Sequence, residues 1–324
     1  MTYHKFNLDL MKTRSALFLD GWLKFNEEKW GYKPERVLYQ IPGKDLPKLE
    51  GVFYLNKKGH VVNPPRNPYL PLQFSPTPTD QPYRLYTQWL EVSELLADDL
   101  KKRGFRGTIA FPPGFIDGRT FQWRGFNVGI RYSFLAFLPP CETYVDKRVS
   151  NRVRKAINLG YSASRSNNWE AIQSCLEKTE EFKEFSHLTS PEDFTCLYTL
   201  LGEDGFRGYL CIDKSGKPVS SRVWLISKEG LSIAWSAGTT REHIKNGVNQ
   251  LLFQKCIDDI EESGCSFLDL CGANIKPVAN AKAAWGFPLV PYITISNDTM
   301  PRKLYRYFVP KKLKPLVRSL FKGV

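Results

Sequence analysis

The loop Gly238–Asn249 holds the residues of this sequence whose types and spacing are best suited to binding an anion. It lies between a predicted strand and a predicted helix, and the first N–H groups of a helix have no partner within that helix. These groups and the partial positive charge of the helix N-terminus suit a pyrophosphate. Arg241 and Lys245 either contact such phosphates or are exposed loop charges, and the sequence leaves both interpretations open.

A covalent nucleophile and a metal site are not predicted. The chain has no GxSxG elbow and no convincing Cys-His arrangement. Its four histidines are scattered, without the spacing of metal ligands. The seven cysteines are an odd number, contain no CxxC pair and lie mostly among apolar neighbours, which indicates reduced, buried thiols.

The elements that position the loop are predicted most clearly after Gly160. Three predicted strands are separated by the short turns at 214–216 and 228–230, and the loop then leads into a helix from Gly247 to Ser263. A Ser190-Pro-Glu-Asp193 sequence is typical of a helix start. The predicted order over this half is β-α-α-β-β-β-α-β-α-β.

A passage that occurs twice, once in each half, organises the whole chain. In each copy a helical pattern ends at a glycine, Gly104 or Gly264, and a short strand follows. A Trp-(Arg)-Gly-Phe corner, with Gly125 or Gly286, and a second strand then come at nearly equal spacing. This shared order predicts two related α/β halves, and chance similarity is the alternative explanation.

Residues 1–85 are predicted in less detail. Strand-like pieces occur at Arg36–Ile41 and Gly51–Leu55. The segment Asn63–Pro82 contains seven prolines and is predicted to be an extended loop.

The element order and several short motifs resemble the GNAT superfamily of acyltransferases, and the full chain resembles its double-GNAT branch. That branch includes the Fem family of peptidoglycan aminoacyltransferases and the CelD-type acetyltransferase-like proteins. The first motif is Trp123-Arg-Gly-Phe126, with Tyr132 and Leu138, followed by the basic helix Asn151–Ala156. The second is Leu268-Asp-Leu-Cys-Gly-Ala273, followed by Ala281-Lys282 and Trp285-Gly-Phe287.

The resemblance implies an α/β (α+β) fold of two tandem GNAT-like domains, each a mixed central sheet flanked by helices. The expected boundaries are 1–145 and 146–300, with a basic amphipathic tail at 301–324. An acyl-CoA donor is expected at the loop, where GNAT members carry Arg/Gln-x-x-Gly-x-Gly/Ala. This chain departs from that signature, because Asn249 occupies the second small position. The expected cofactor-binding residues are Ala237, Gly238, Arg241, Lys245, Asn246, Gly247 and Asn249.

The resemblance also implies catalytic positions. In GNAT-like folds the backbone of the fourth strand supplies the oxyanion donor, which places Trp235 and Ser236 at the reacting carbonyl. Lys282 occupies the position of a lysine in Fem-type enzymes, where it stabilises transition-state charge or is a solvated surface residue. Asp269 is interpreted as a structural hydrogen-bonding group rather than a general base, because it lies in a short apolar strand.

The net charge of +13 is concentrated in two places. Eight basic residues and no acidic residue fall within 301–324, and a second cluster extends from Lys147 to Arg165. Such concentrations favour an anionic partner, either phosphate-rich substrate, RNA or an acidic membrane surface. A well-solvated basic face is the alternative, and for the tail so is a plain C-terminal helix docked on the domain. The sequence has no apolar run long enough to span a membrane and no signal peptide pattern. The expected location is therefore the cytoplasm, including the inner face of the membrane through the tail.

Two classes of function are open to this sequence. The first is an N-acyltransferase that transfers an acyl group from acetyl-CoA or another acyl-CoA, or from aminoacyl-tRNA, to an amine of a sugar or peptide cell-envelope precursor. Fem-type tRNA-dependent enzymes carry a coiled-coil insertion that is not visible here, which favours acyl-CoA. The second is a non-catalytic nucleic-acid- or membrane-binding protein that retains only the scaffold.

Overall fold

The structure is a computed structural model and describes residues 3–105, 107–183 and 186–297. The predicted tail at 301–324 lies outside these residues. The helices are α1 (Tyr3–Lys12), α2 (Asp20–Trp30), α3 (Pro82–Arg103), α4 (Arg119–Trp123), α5 (Lys147–Asn158), α6 (Trp169–Lys183), α7 (Pro191–Gly205), α8 (Val248–Glu262) and α9 (Lys276–Ala283). None of the helices in this described part is long and apolar enough to cross a membrane.

The strands are β1 (Lys33–Gln40), β2 (Lys48–Leu55), β3 (Val61–Val62), β4 (Leu72–Ser75), β5 (Thr108–Ala110), β6 (Asn127–Phe137), β7 (Ser162–Arg165), β8 (Phe206–Ile212), β9 (Pro218–Leu225), β10 (Leu231–Thr239), β11 (Phe267–Asp269) and β12 (Leu289–Ser296). The element order predicted after Gly160 is confirmed. The capped start at Ser190 is confirmed as well, since its side chain and that of Asp193 form a reciprocal capping box.

The first half differs from the prediction in two respects. Helices α1, α2 and the short α4 were not predicted, and β4 lies inside the segment expected to be an extended loop. The prolines at 71 and 76 flank β4 and leave Leu72–Ser75 free to pair with β2, which buries Leu72 and Phe74. Proline content alone therefore gave the wrong prediction for these four residues.

The main sheet has eight strands in the order β5-β12-β6-β11-β10-β9-β8-β7. Strands β10 and β11 are parallel, and the other neighbours are antiparallel. A second sheet has four strands, with β2 paired to β1, β3 and β4. The larger sheet is thus mixed and contains strands from both halves of the chain.

The two halves exchange their last strands within the larger sheet. Strand β6 of the first half pairs with β11 of the second, and β12 of the second half pairs with β5 of the first. Thr108 lies opposite Ser296 and Phe137 lies opposite Phe267. Residues 108 and 267 differ by the same number of positions as residues 137 and 296. Adding this number to the first-half residue of each pair therefore gives the second-half residue of the other pair. The duplication inferred from the sequence is visible in this strand register.

The glycines of the repeated passage have matching conformations. Gly104 ends α3 with φ +69°, and Gly264 follows α8 with φ +83°. Gly125 and Gly286, in the two aromatic corners, have φ +86° and +74°. Left-handed backbone of this kind favours glycine, which explains why both copies carry it at these two points.

Alternating side chains of β9 show how the larger sheet is covered. Val223 and Leu225 point to one face, where α2, α6 and α7 pack on them. Trp224 points to the other face, where it stacks on Phe253 of α8. The sheet is therefore buried on both faces beside β10, the strand that carries the predicted site.

Candidate active site

Strands β10 and β11 pair over only three residues, from Leu231 to Ile233. Strand β10 then continues to Thr239 beside β9, with a bulge between Ala234 and Ser236. A bulge bends a strand and increases its twist, so β10 turns away from the end of β11. The resulting cavity, with a volume of about 230 Å³, is lined by Ile233, Ala234, Trp235, Cys271, Arg66, Asn67 and Pro68.

Trp235 is the bulged residue and forms a wall of this cavity. Its ring is buried among aromatic rings from α2, α7 and β8, at 5.3 Å from the ring of Trp22. Its indole Nε1 donates a hydrogen bond to the backbone oxygen of Arg66 (3.1 Å). The role predicted for Trp235 would therefore fall to its backbone, because its side chain is a packing group.

Arg66 reaches the cavity from the proline-rich segment of the first half. It has a left-handed φ of +69° and donates from Nη2 to Ser236 Oγ (3.0 Å) and to the backbone oxygen of Trp235 (3.4 Å). Burial lowers the pKa of this guanidinium, and an arginine side chain in a protein stays charged. The sequence prediction missed Arg66, since a single arginine in a segment interpreted as a loop carries no distinguishing pattern.

Asp269, at the end of β11, is a buried carboxyl group with one occupied oxygen. Its Oδ1 accepts hydrogen bonds from Ser133 Oγ (2.5 Å) and from the backbone N–H of Cys271 (2.7 Å). Its Oδ2 and the nearby Tyr69 hydroxyl are buried without a hydrogen-bond partner among the described residues. Burial raises the pKa of Asp269, the two hydrogen bonds oppose that rise, and the Tyr69 hydroxyl faces both Asp269 and Cys271.

Lys282 lies on α9, and its ammonium is held by the turn that follows β11. Its Nζ donates to the backbone oxygens of Leu270 (2.6 Å) and Gly272 (3.1 Å), and also to that of Cys271. Cys271 and Gly272 have φ values of +48° and +63°, and this turn brings the three carbonyl groups to one side. Burial lowers the pKa of Lys282 to about 8. Lys282 is therefore a held, largely desolvated cation and not a freely solvated surface residue.

Arg222, on β9, is a third half-buried cation of the larger sheet. It pairs across the sheet with Ala237, and its guanidinium lies 4.7 Å from the ring centre of Phe253. Burial lowers its pKa, and its charge contributes to the lowered pKa of Lys282. Arg66 therefore adjoins the bulge of β10 and Lys282 the turn that follows β11, and these two charges favour an anion or a developing oxyanion between them.

The predicted loop residues separate into two groups, of which the first has structural roles. Gly238 allows β10 to contact α6, since an added Cβ would lie 2.3 Å from the oxygen of Cys175. Gly247 similarly lets α5 cross the start of α8, since its Cβ would lie 2.1 Å from the oxygen of Arg152. Asn246 Nδ2 donates to Tyr161 Oη (2.9 Å), and Asn249 Oδ1 accepts from Thr239 Oγ1 (2.6 Å).

The second group is exposed and basic. Arg241 and Lys245 lie in a 3-10 turn at 241–246, beside α5, and Lys155 Nζ donates to the backbone oxygen of Lys245 (3.0 Å). Ala237, on the open part of β10, is also exposed. We call the following six exposed residues the basic face: Lys147, Arg152, Arg154, Lys155, Arg241 and Lys245. None of the six forms an ion pair with an acidic residue in the part of the chain that the structure describes.

The chain has the double-GNAT, Fem-like fold that its sequence predicted: two tandem GNAT-like units built on a mixed sheet. It is similar to the crystal structure of FemX, with a TM-score of 0.60 and 14% identity over 95% of this chain and 98% of that one. It is also similar to the C-terminal domain of a putative lysylphosphatidylglycerol synthetase from Agrobacterium fabrum, with a TM-score of 0.57 and 8% identity over 94% and 96% of the two chains.

A third similar structure is that of L-PGS from Bacillus licheniformis, with a TM-score of 0.52 and 10% identity over 93% of each chain. No protein-family model matches this chain, and no curated protein sequence matches it. At these identities the similarity establishes the fold alone. The chemistry of the site has to be argued from the residues of this chain.

Proposed function

We propose that the chain is an N-acyltransferase that forms an amide by direct transfer of an acyl group to an amine. The observation that supports this proposal is the opening between β10 and β11, where a bulged strand and the half-buried Arg66 line a cavity of about 230 Å³, with Lys282 bound to the turn that follows β11. The amine nitrogen forms a bond to the acyl carbon while the bond from that carbon to its carrier breaks. The amine proton is lost to a base, and the carrier leaves with the electron pair of the broken bond.

The described residues can meet each need of such a transfer. An acyl oxygen in the cavity would lie next to Arg66, which lines it and would stabilise negative charge that develops there. Lys282 donates to the backbone oxygen of Cys271, another lining residue, and adds positive charge behind that wall. Buried aromatic groups around Trp235 exclude water, which strengthens these electrostatic interactions. Asp269 accepts from the N–H of Cys271, which lines the cavity, and we propose it as the base for the amine proton in place of the structural role expected from the sequence. The neighbouring Tyr69 hydroxyl, which interacts with Asp269, would relay that proton.

The basic face supports a donor whose carrier bears phosphates. Six unpaired cations lie on α5 and on the 3-10 turn that precedes α8. The crossing of α5 at Gly247 closes the position directly against that glycine. Phosphates bound on the exposed side of α5 and the 3-10 turn would be attracted by Arg152, Lys155 and Lys245. Acyl-CoA is the donor we propose, and aminoacyl-tRNA is the alternative carrier with the same chemistry. The proposed acceptor is an amine of a sugar or peptide precursor of the cell envelope.

The first experiment measures donor binding by calorimetry with acetyl-CoA and a series of longer acyl-CoAs, and by filter binding with aminoacyl-tRNA. Amide products are then sought by mass spectrometry with a panel of amines. Transfer by the wild-type chain that is lost in the Arg66→Gln and Lys282→Met variants, but kept in Lys57→Met, supports the proposal. Lys57 is an exposed lysine in the turn between β2 and β3 and serves as the matched control.

The same measurements distinguish the non-catalytic alternative. Steeply salt-dependent binding of RNA or of anionic vesicles, without transfer to any amine, would favour a binding protein on a GNAT-like scaffold. Binding of neither acyl-CoA at millimolar concentration nor tRNA at micromolar concentration would reject the donor assignment.

A further inference from the structure

The first half contains an opening between two of its segments that corresponds, through the internal repeat, to the opening between β10 and β11. Strand β5 is the counterpart of β11 under the shift in numbering that relates the two halves, and β4 precedes α3 as β10 precedes α8. The N–H of Leu70 donates to the oxygen of Ala110 (2.8 Å), and the two segments then separate, β4 pairing with β2 and β5 with β12. Strands β4 and β5 therefore diverge as β10 and β11 do.

A cavity of about 520 Å³ lies beyond this divergence, between β4, α1, α3 and the loop that follows β5. Its wall is mostly apolar and includes Met11, Phe74, Leu85, Tyr86, Trp89 and Ile116. The volume falls within the range of small-molecule sites, about 300–1,000 Å³. It shares no lining residue with the cavity between β10 and β11, so this is a separate site.

A glycine lets helix α1 form one side of this cavity. Gly114 has φ +98°, and an added Cβ would lie 2.7 Å from Cβ of Leu10 and 3.0 Å from the oxygen of Asn7. The neighbouring residues Leu8 and Met11 of α1 line the cavity. The close approach of α1 to the 112–118 loop therefore depends on the missing side chain at Gly114.

The rim of the cavity is polar and has a positive side. Pro82 and Tyr83, in the first turn of the 22-residue helix α3, line it, and Gln81 gives that turn no side-chain cap. The unpartnered N–H groups and the dipole of a long helix make this rim favourable to negative charge. Arg119 lies over the ring of Tyr86 (4.8 Å) and pairs with Asp117 (2.8 Å), and these two are the charged residues of the lining.

We propose that this cavity binds the apolar tail of a single-chain fatty carboxylate, with the carboxylate at the first turn of α3 and beside Arg119. The apolar wall accounts for the tail, and the rim accounts for a small anionic head. Asp117 already pairs with Arg119, so a carboxylate head would share that guanidinium and take its other hydrogen bonds from the first turn of α3. A cationic head would be repelled by the helix N-terminus. The proposal concerns the first half of the chain and does not depend on acyl transfer in the second.

Isothermal titration calorimetry on the full chain tests this, with decanoate, decanol and decyltrimethylammonium as probes below their micelle concentrations. Decanoate is expected to bind most tightly and to raise the unfolding midpoint in a concentration-dependent way. The variant Ile116→Trp, at a position 40% exposed on the cavity wall, is expected to weaken decanoate and decanol alike by about tenfold or more.

Arg119→Gln tests the head group separately. It is expected to weaken decanoate by about fivefold and to leave decanol unchanged. Arg124→Gln, which changes a half-buried arginine with acidic partners at the end of α4, is the matched control and should leave both affinities unchanged. Absence of decanoate binding to the wild-type chain, or equal binding by wild type and Ile116→Trp, would overturn the site. Equal binding of all three probes would overturn the fatty carboxylate as its ligand. Amide formation, assayed on the same samples, reports independently on the second half.

Discussion

Tyr132 and Pro291 lie opposite each other in the pairing of β6 with β12. They are also counterparts in the internal repeat, because 132 and 291 differ by the same amount as 108 and 267. Two equivalent residues that face each other mark the centre of a local twofold relation. The two halves of the chain are therefore arranged symmetrically about this point of the sheet, with one diverging strand pair on each side.

Gly247→Ala should destabilise the chain more than the same substitution at a glycine that has no neighbouring atoms. Its Cβ would meet Arg152, and its φ of +86° is strained for alanine, so a loss of about 3 kcal/mol is expected. Gly216→Ala is the matched control, because Gly216 has φ +83° with nothing within 4 Å. It should lose about 1 kcal/mol. Urea unfolding measures both, and equal losses would contradict the close packing of α5 on α8.

Lys282 should make stability depend on pH in the alkaline range. Its pKa is about 8 in the folded chain, against an ordinary value of 10.5. The unfolded chain therefore holds this proton where the folded chain has released it, and folding becomes more favourable as pH rises from 8 to 10.5. The free energy of unfolding of the wild type, relative to that of Lys282→Met, should rise by about 2 kcal/mol between pH 7 and 10. A difference that does not change with pH would contradict the burial of this ammonium, and Lys57→Met serves as control.

Asp269→Asn should fold at least as well as the wild type at neutral pH. The raised pKa of Asp269 means that its contribution to stability is complete below the ordinary value of 3.8 and is lost as pH rises through the folded value. Asparagine keeps an oxygen for Ser133 and for the Cys271 N–H and removes the buried charge, for a gain of about 1 kcal/mol. Asp269→Ala should lose about 3 kcal/mol, because both donors lose their acceptor. Chemical denaturation at pH 7 separates the two, and a strongly destabilised Asn variant would contradict this account.

Charge reversal on the basic face should weaken binding of a phosphate-bearing donor. The double variant Arg152→Glu and Lys245→Glu replaces two unpaired cations beside the start of α8. Affinity should fall by about tenfold or more at low salt, and the difference should shrink as salt is added. Titrations at graded salt check this, with Lys57→Glu as control on the smaller sheet. Unchanged affinity in the double variant would place the phosphates elsewhere.

The sequence predicted the elements of the second half well, because each carries a local signal. Ser190 begins a helix, short turns separate β8, β9 and β10, and Gly264 ends a helix. The strand exchange could not be predicted, since the pairing of β6 with β11 depends on partners far apart along the chain and has no local pattern. Helix α2 was missed because its four buried residues are few and closely spaced.

The catalytic roles of Trp235, Ser236 and Lys282 stay predictions. The bulge of β10 lines the opening and Lys282 binds the turn that follows β11, whereas Arg66 and Tyr69 come from a segment that the sequence marked only by its prolines. Gly238, Asn246, Gly247 and Asn249 were expected to hold a cofactor, and each has an intramolecular packing or hydrogen-bonding role. Glycine and asparagine serve both purposes, and sequence spacing does not separate them.

Because β6 and β12 are exchanged, each half needs a strand of the other half to complete its sheet when it folds. If the chain were cut at residue 145, the fragment 1–145 would carry β6 without the β11 and β12 edges that complete it. The fragment 146–324 would lack β6, the strand that lies between its own strands β11 and β12 in the sheet. Each piece would expose open sheet edges in isolation, and co-expression of the pieces should rescue both by mutual complementation.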